Sequence, residues 1–230
     1  TILRQAKKNK HSRVLCIVDN IIPHEKRPGD QQFTNYFIKA VDAFVTMSKD
    51  VLKDVKTFTD KPAYFTPHPI YDSYNEAVSK QIACSRLKLD AGKKYMLFFG
   101  FIREYKGLDL LLEAMADERI KQAGIELIAA GEYYDKAVEA NNNSIIEKHQ
   151  LQNRVHLRTD FIPNSEVRYY FSAADLVVQP YKHATQSGIT QIAFHFEKPM
   201  VVTNVGGLAE VVPDGKVGFI AEPNPTSIAD

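Results

Sequence analysis

The 230-residue chain contains no tryptophan and only two cysteines, Cys16 and Cys84. The two thiols lie far apart and form no Cys-x-x-Cys pair. Neither a disulfide framework nor a zinc site is therefore expected, and a reducing compartment fits. No run approaches 18 consecutive apolar residues, so no membrane-spanning helix is expected. Net charge is nearly absent, with 29 Lys and Arg against 28 Asp and Glu. That balance excludes a strongly basic nucleic-acid binder. The nucleophile elbow Gly-x-Ser-x-Gly, the Walker A lysine loop and the zinc motif His-Glu-x-x-His are all missing. There is no internal repeat and no low-complexity tract. What remains is an ordinary folding composition, 44% hydrophobic and 25% charged, which argues against disorder. A chain of this length forms one large domain or two small ones.

Short apolar runs alternate with amphipathic segments. Val14 to Val18 is a continuous apolar run, the mark of a parallel strand buried on both faces. A loop rich in Pro, Gly and Asp follows, then a helix near 32–40 and a strand over Ala43 to Thr46. Ser48 or Asp50 is placed to cap the next helix, and Ala63 to Thr66 reads as a further strand. Two prolines in PHPIYDSYNEA mark a connector, which places a domain boundary between residues 66 and 67. Beyond it, strands are predicted at 95–99, 125–129, 154–157, 176–178, 200–203 and 217–220. Helices are predicted at 80–88, 107–117, 135–149, 164–173, 188–195 and 207–211. In helix 107–117, Leu108, Leu111, Leu112 and Met115 recur at helical spacing and belong to the core. This rhythm predicts an α/β fold, a parallel sheet covered by helices on both faces. The chain begins with Thr and stops in NPTSIAD, which reads as a helix start, so a fragment of a longer protein is expected.

Ligands of such sheets bind at the carboxyl ends of the strands, which directs attention to four loops. The loop after 95–99 holds Gly100, then Arg103 and Lys106 beside the helix entry at Gly107. Two cations there suit a pyrophosphate. The loop at 130–134 holds Gly131 and Glu132, and a glycine at a strand end admits the edge of a base or sugar. The third loop leads from Pro180 into Gln186-Ser187-Gly188-Ile189-Thr190-Gln191, where a helix should begin. Its unpaired amides and positive dipole end favour phosphate. Gly206-Gly207 opens a second helix in the same manner. Asp175 fits a capping role at an element end. His149, His156 and His195 lack metal-ligand spacing and fit structural roles.

Taken together, FFGFIREYKGLDLLLEA, the Gly131-Glu132 pair, FIPNSEVRYYFSAADLVVQPY, ATQSGITQIAFHFEKPMVVTNVGGLAEVV and DGKVGFIAEP resemble glycosyltransferase family 4. These are the retaining, group 1 nucleotide-sugar transferases of the GT-B fold, and the resemblance covers residues 64–223. It implies a Rossmann-like donor-binding domain over 67–230. Residues 1–66 would be the end of a Rossmann-like acceptor-side domain. Arg103 and Lys106 would hold the donor diphosphate and act in catalysis. Gly100, Gly131, Glu132, Gln186, Ser187, Gly188, Ile189, Thr190 and Gln191 would line the donor site, and His24 and Glu25 would face the acceptor. No metal or other cofactor is implied. The partners would be a nucleotide-sugar and a glycan or lipid-linked acceptor, with no nucleic acid. The setting would be cytoplasmic, with a peripheral membrane contact through the basic residues 4–13.

The chain departs from the family in one respect. Many members carry two glutamates spaced E-x7-E after the third loop, contacting the sugar and the ribose. Here those positions fall on Ala184 and Ile192, leaving the amides of Gln186 and Gln191 to bond hydroxyls instead. Two rival functions stay open: a nucleotide-sugar epimerase of the same fold, and a donor-binding fragment without turnover.

Overall fold

The computed structural model of the chain describes residues 2–23, 27–71 and 73–230. These fall into two units, Thr1–Pro69 with Ala184–Gln186, and Ile70–His183 with Ser187–Asp230.

The first unit runs α1 (Ile2–Ala6), β1 (Leu15–Val18), α2 (Asp30–Ile38), β2 (Ala43–Thr46), α3 (Lys49–Phe58) and β3 (Ala63–Phe65). Its strands pair in parallel in the order β1-β2-β3. Ser48 caps α3, its hydroxyl accepting from the Asp50 amide at 3.2 Å. Val18, Ile38, Phe44, Val51 and Val55 close the core under the two longer helices. The expectation that β1 is buried on both faces fails. Leu15 and Ile17 are 63% and 66% exposed. Their register partners Ala43 and Val45 share that face, and α2 and α3 cover only the other. Part of the basic N-terminal charge is spent inside this unit. Lys7 pairs with Asp42 at 2.7 Å, and Arg4 stacks on Tyr36.

The second unit holds α4 (Lys80–Leu87), β4 (Lys94–Phe99), α5 (Leu108–Ala114), α6 (Glu118–Gln122), β5 (Ile125–Ala130) and α7 (Lys136–Lys148). It continues through β6 (Val155–Arg158), α8 (Asn164–Ala173), β7 (Leu176–Gln179) and α9 (Gly188–His195). The last elements are β8 (Met200–Thr203), α10 (Leu208–Val211), β9 (Gly218–Ala221) and α11 (Pro225–Ala229). Leu108, Leu111, Leu112 and Met115 are buried against the sheet, as their spacing requires. The helix expected over 107–117 ends at Ala114, and a further short helix, α6, follows outside the expected range. The Asp117 carboxylate accepts from the Arg119 amide at 2.9 Å and starts α6 afresh, because a capped start satisfies an amide that a continuing helix would otherwise compete for. No helix among the described residues is long and apolar enough to cross a membrane.

All six strands are parallel, in the order β6-β5-β4-β7-β8-β9. The chain steps outward from β4 through β5 to β6, then crosses back to the other side of β4 as β7. The order reverses between β4 and β7, and in sheets of this kind ligands bind outside the carboxyl ends of the strands at that reversal. The fold thus selects two loops, 100–107 after β4 and 180–187 after β7.

Candidate donor site

The two loops meet directly. Gly107 closes a short helical turn over Glu104–Lys106 and adopts φ +67°. A Cβ on it would lie 2.0 Å from the Pro180 carbonyl oxygen, so only glycine lets the loop after β4 seat on the loop after β7. A similar approach joins the loop after β5. A Cβ on Gly131, at φ +141°, would come 2.3 Å from the Gly100 carbonyl oxygen. Backbone pairing continues this seam, with the Ile102 amide donating to the Glu132 carbonyl at 2.8 Å.

Lys106 points back over Gly100. Its Nζ lies 3.1 Å from where a Gly100 Cβ would stand, and the Ile189 side chain lies 3.2 Å from that same point. Gly100, Lys106 and the first turn of α9 therefore surround one small volume. Among the described residues no carboxylate pairs with Lys106; its ammonium faces the Tyr181 ring at 5.7 Å. Burial, aided by the Arg103 charge, lowers the Lys106 pKa from its ordinary 10.5 to about 8. Arg103 itself stacks on Tyr134 at 4.1 Å. It also lines a pocket of about 360 Å³ together with Asp109, Asp135 and Lys182. Lys182 in turn pairs with Asp109 at 2.7 Å.

The amino end of α9 is built by side chains that satisfy some of its amides and leave others. Ser187 Oγ accepts from the Ile189 amide at 3.2 Å and lies 3.3 Å from Tyr181 Oη. Tyr181 is buried, which pushes its phenol well above the ordinary range. Thr190 is fully buried, and its hydroxyl donates to Gln179 Oε1 at 3.2 Å. The Thr190 side chain is therefore committed to the core, and the Gly188 and Thr190 amides are what this turn can offer a ligand. The second glycine-opened turn is much weaker, since α10 has four residues.

The structure thus brings Gly100, Lys106, Gly131, Glu132, Ser187, Gly188, Ile189 and the backbone of Thr190 into one neighbourhood, with Arg103 at its edge. Gln191 is buried on α9. Gln186 is not part of this cluster. It groups with the first unit and donates to Asp19 Oδ1 at 2.8 Å. His24 and Glu25 lie outside the described residues. Ile192, at one of the two departed glutamate positions, is buried in the core. Asp175 holds the Tyr95 amide at 2.7 Å and Lys80 at 2.6 Å. His149 and His156 bond Glu113 and Glu126 at 2.6 and 2.7 Å. Tyr134 had no signal of its own in the sequence; its partnership with Arg103 depends on how the loops after β4 and β5 meet.

A model of the family described as glycosyl transferases group 1 matches residues 80–230. The chain belongs to this family. It is 29% identical over 227 residues to a 2-deoxystreptamine N-acetyl-D-glucosaminyltransferase of Niallia circulans, covering 86% of this chain and 53% of that protein. It is also 29% identical over 145 residues to a D-inositol 3-phosphate glycosyltransferase of Segniliparus rotundus, covering 62% and 32%. This group 1 glycosyltransferase chain thus spans about half, or less, of the curated relatives it matches. Among solved structures, HepE of Anabaena in complex with UDP and glucose superposes with a TM-score of 0.79 at 16% identity. That match covers 98% of this chain and 62% of HepE. WaaG, a glycosyltransferase involved in lipopolysaccharide biosynthesis, superposes at 0.73 with 17% identity, covering 99% and 70%. The architecture is that of the GT-B glycosyltransferases.

Proposed function

We propose that the second unit is the donor-binding half of a retaining hexosyltransferase, moving a sugar from a nucleotide-sugar to a glycan or lipid-linked acceptor. One observation carries the proposal: Lys106, which pairs with no carboxylate among the described residues, faces the amino end of α9 across Gly100. A cation removed from water without a counter-charge is unfavourable, and a diphosphate placed there would offset that cost. HepE, whose structures hold UDP and UDP-glucose, supports a ligand of this class.

In this site the donor's nucleoside lies toward Gly131 and Glu132, and its diphosphate lies between Lys106, Arg103 and the Gly188 and Thr190 amides. As the sugar–phosphate bond breaks, negative charge grows on the leaving phosphate. Fixed cations and oriented amides stabilise that charge without reorganising. Retention follows when the leaving oxygen accepts the acceptor's proton on the face it departs from. The protein then supplies positioning and anion stabilisation, and no metal is called for. Residues 1–66 would contribute to the acceptor side, with His24 and Glu25 facing the acceptor. The setting would be cytoplasmic, with a peripheral membrane contact through residues 4–13.

Binding without turnover is a second reading of this chain by itself, because it covers about half of its relatives' length. Calorimetric titration with UDP, GDP, ADP and TDP tests the donor site. One diphosphate should bind selectively, and Arg103→Ala/Lys106→Ala should abolish that binding. Equal binding by the double variant would overturn the assignment. Consumption of the nucleotide-sugar with no acceptor present would favour the epimerase instead.

A further inference from the structure

Tyr181 is 3% exposed, and a buried phenol needs an acceptor for its hydrogen. Among the described residues the hydrogen-bond partner of its hydroxyl is Ser187 Oγ, at 3.3 Å. Burial also keeps the phenol protonated well above its ordinary range. A buried O–H without an acceptor is unfavourable, so Tyr181 donates and Ser187 accepts. Ser187 already accepts from the Ile189 amide at 3.2 Å.

A hydroxyl oxygen has two lone pairs and one hydrogen. One amide and one phenol take both lone pairs of Ser187, which leaves its own hydrogen. Ser187 is half-buried, at the N-cap of α9. It therefore presents a donor, not an acceptor, to a ligand lying before that helix.

The ring that fixes Ser187 is itself held. The Tyr181 carbonyl accepts from the buried Thr203 hydroxyl at 2.6 Å. Tyr105, from the loop after β4, meets the Tyr181 ring edge-on at 6.2 Å. The Lys106 ammonium stands over the same ring at 5.7 Å. One side chain thus touches both parts of the proposed anion site, its buried cation and the hydroxyl at the start of α9.

We propose that Tyr181 is a positioning residue for the donor: its hydrogen bond to Ser187 turns the Ser187 hydrogen toward the ligand, to bond a phosphate oxygen beside Lys106. The proposal rests on the donor-site reading above. It adds a side-chain donor to the amides of Gly188 and Thr190, while Tyr181 itself touches no substrate. The Tyr181–Ser187 bond is long for two hydroxyls. A phosphate accepting from Ser187 makes Ser187 Oγ the better acceptor, and the two bonds then strengthen each other.

The test is a double-variant cycle, with Tyr181→Phe and Ser187→Gly alone and together. Each is titrated calorimetrically with the nucleoside diphosphate that binds best. Phenylalanine keeps the ring beside Lys106 and removes only the hydroxyl. Glycine removes the serine hydroxyl and remains an acceptable N-cap. Ser187→Gly should weaken diphosphate binding roughly tenfold, the loss of one hydrogen bond to a charged group. Tyr181→Phe should weaken it roughly threefold through the lost mutual strengthening, by the same factor at pH 7 and pH 9. In the Ser187→Gly background it should weaken binding no further, because Tyr181 acts through Ser187. A threefold loss in both backgrounds would overturn the proposal, as would a loss confined to one pH, which would mean that Lys106 had been disturbed. A lower melting temperature of Tyr181→Phe with unchanged affinity would overturn it in favour of a packing role. Unchanged affinity in Ser187→Gly would overturn it and leave the donor site standing on Arg103 and Lys106. Failure of the unaltered protein to bind any diphosphate would remove the donor site, and the role of Tyr181 with it.

Discussion

The ammonium of Lys106 stands over the ring of Tyr181, 5.7 Å from its centroid. A ring face attracts a cation but cannot take its proton or neutralise it. The lysine therefore stays half-buried and under-compensated, with a pKa of about 8 rather than its ordinary 10.5. Two consequences can be measured.

The first is a pH dependence of ligand binding. An anion beside Lys106 favours its charged form, so binding raises the pKa of this group. Below about pH 8 Lys106 is already protonated and diphosphate affinity should be flat. Above that value the free protein must take up a proton to bind, and affinity should fall by up to tenfold per pH unit. Calorimetry in buffers of different ionisation enthalpy should show proton uptake at pH 9 and none at pH 7. Affinity that stays flat through pH 9 would remove Lys106 as the phosphate ligand.

The second concerns stability without ligand. A depressed lysine pKa means that the unfolded chain holds this proton more tightly than the folded one. The cost is fully present below about pH 8 and fades as pH rises toward 10.5. Lys106→Met, which keeps the stem and removes the charge, should raise the melting temperature at pH 7 by roughly 2–4 °C, the shift expected for about 1 kcal/mol. The gain should shrink toward zero near pH 10. Paired thermal melts at the two pH values decide it.

Gly107→Ala should be among the most damaging single changes in the second unit. Its methyl would stand 2.0 Å from the Pro180 carbonyl oxygen, on a backbone at φ +67°. The two loops at the sheet's switch point would have to separate. A loss on the order of 3 kcal/mol is expected, read as a lower urea midpoint, together with loss of diphosphate binding.

Asp175→Ala makes the opposite case. Asp175 bonds the Tyr95 amide at 2.7 Å and Lys80 at 2.6 Å. It does so at the amino end of β7, away from the loops that leave the carboxyl ends. Stability should drop by about 1–3 kcal/mol, while diphosphate affinity stays within twofold. A large loss of affinity would mean that Asp175 supports the site directly.

The second unit was readable in the sequence because its central strands are buried on both faces, as in Tyr95 to Phe98. Such strands show as unbroken apolar runs, and the glycines that end them are required by close backbone approach. The same logic misled at Leu15 and Ile17. A run of apolar residues records what a strand could bury, not what covers it. Helix α6 was hidden because its five residues are too few to show a periodicity, and Asp117 can sit on a helix surface as readily as cap one. Gln186 lies one residue from Ser187 in sequence, yet groups with the other unit; local spacing carries no record of that.

The reversal of strand order also governs when the site can form. Met96 pairs with Leu176, so β4 and β7 become neighbours only after the chain has passed through β5 and β6 on the other side. The loop carrying Lys106 is synthesised before its opposing helix end, which lies beyond β7. Closing that long segment carries an entropic cost that local contacts cannot offset. During synthesis Lys106 therefore remains hydrated, with an ordinary proton affinity, until the β4–β7 seam zips. The ammonium loses its water in the same step that completes the sheet, so the donor site comes into being with the fold, not as a local motif that precedes it.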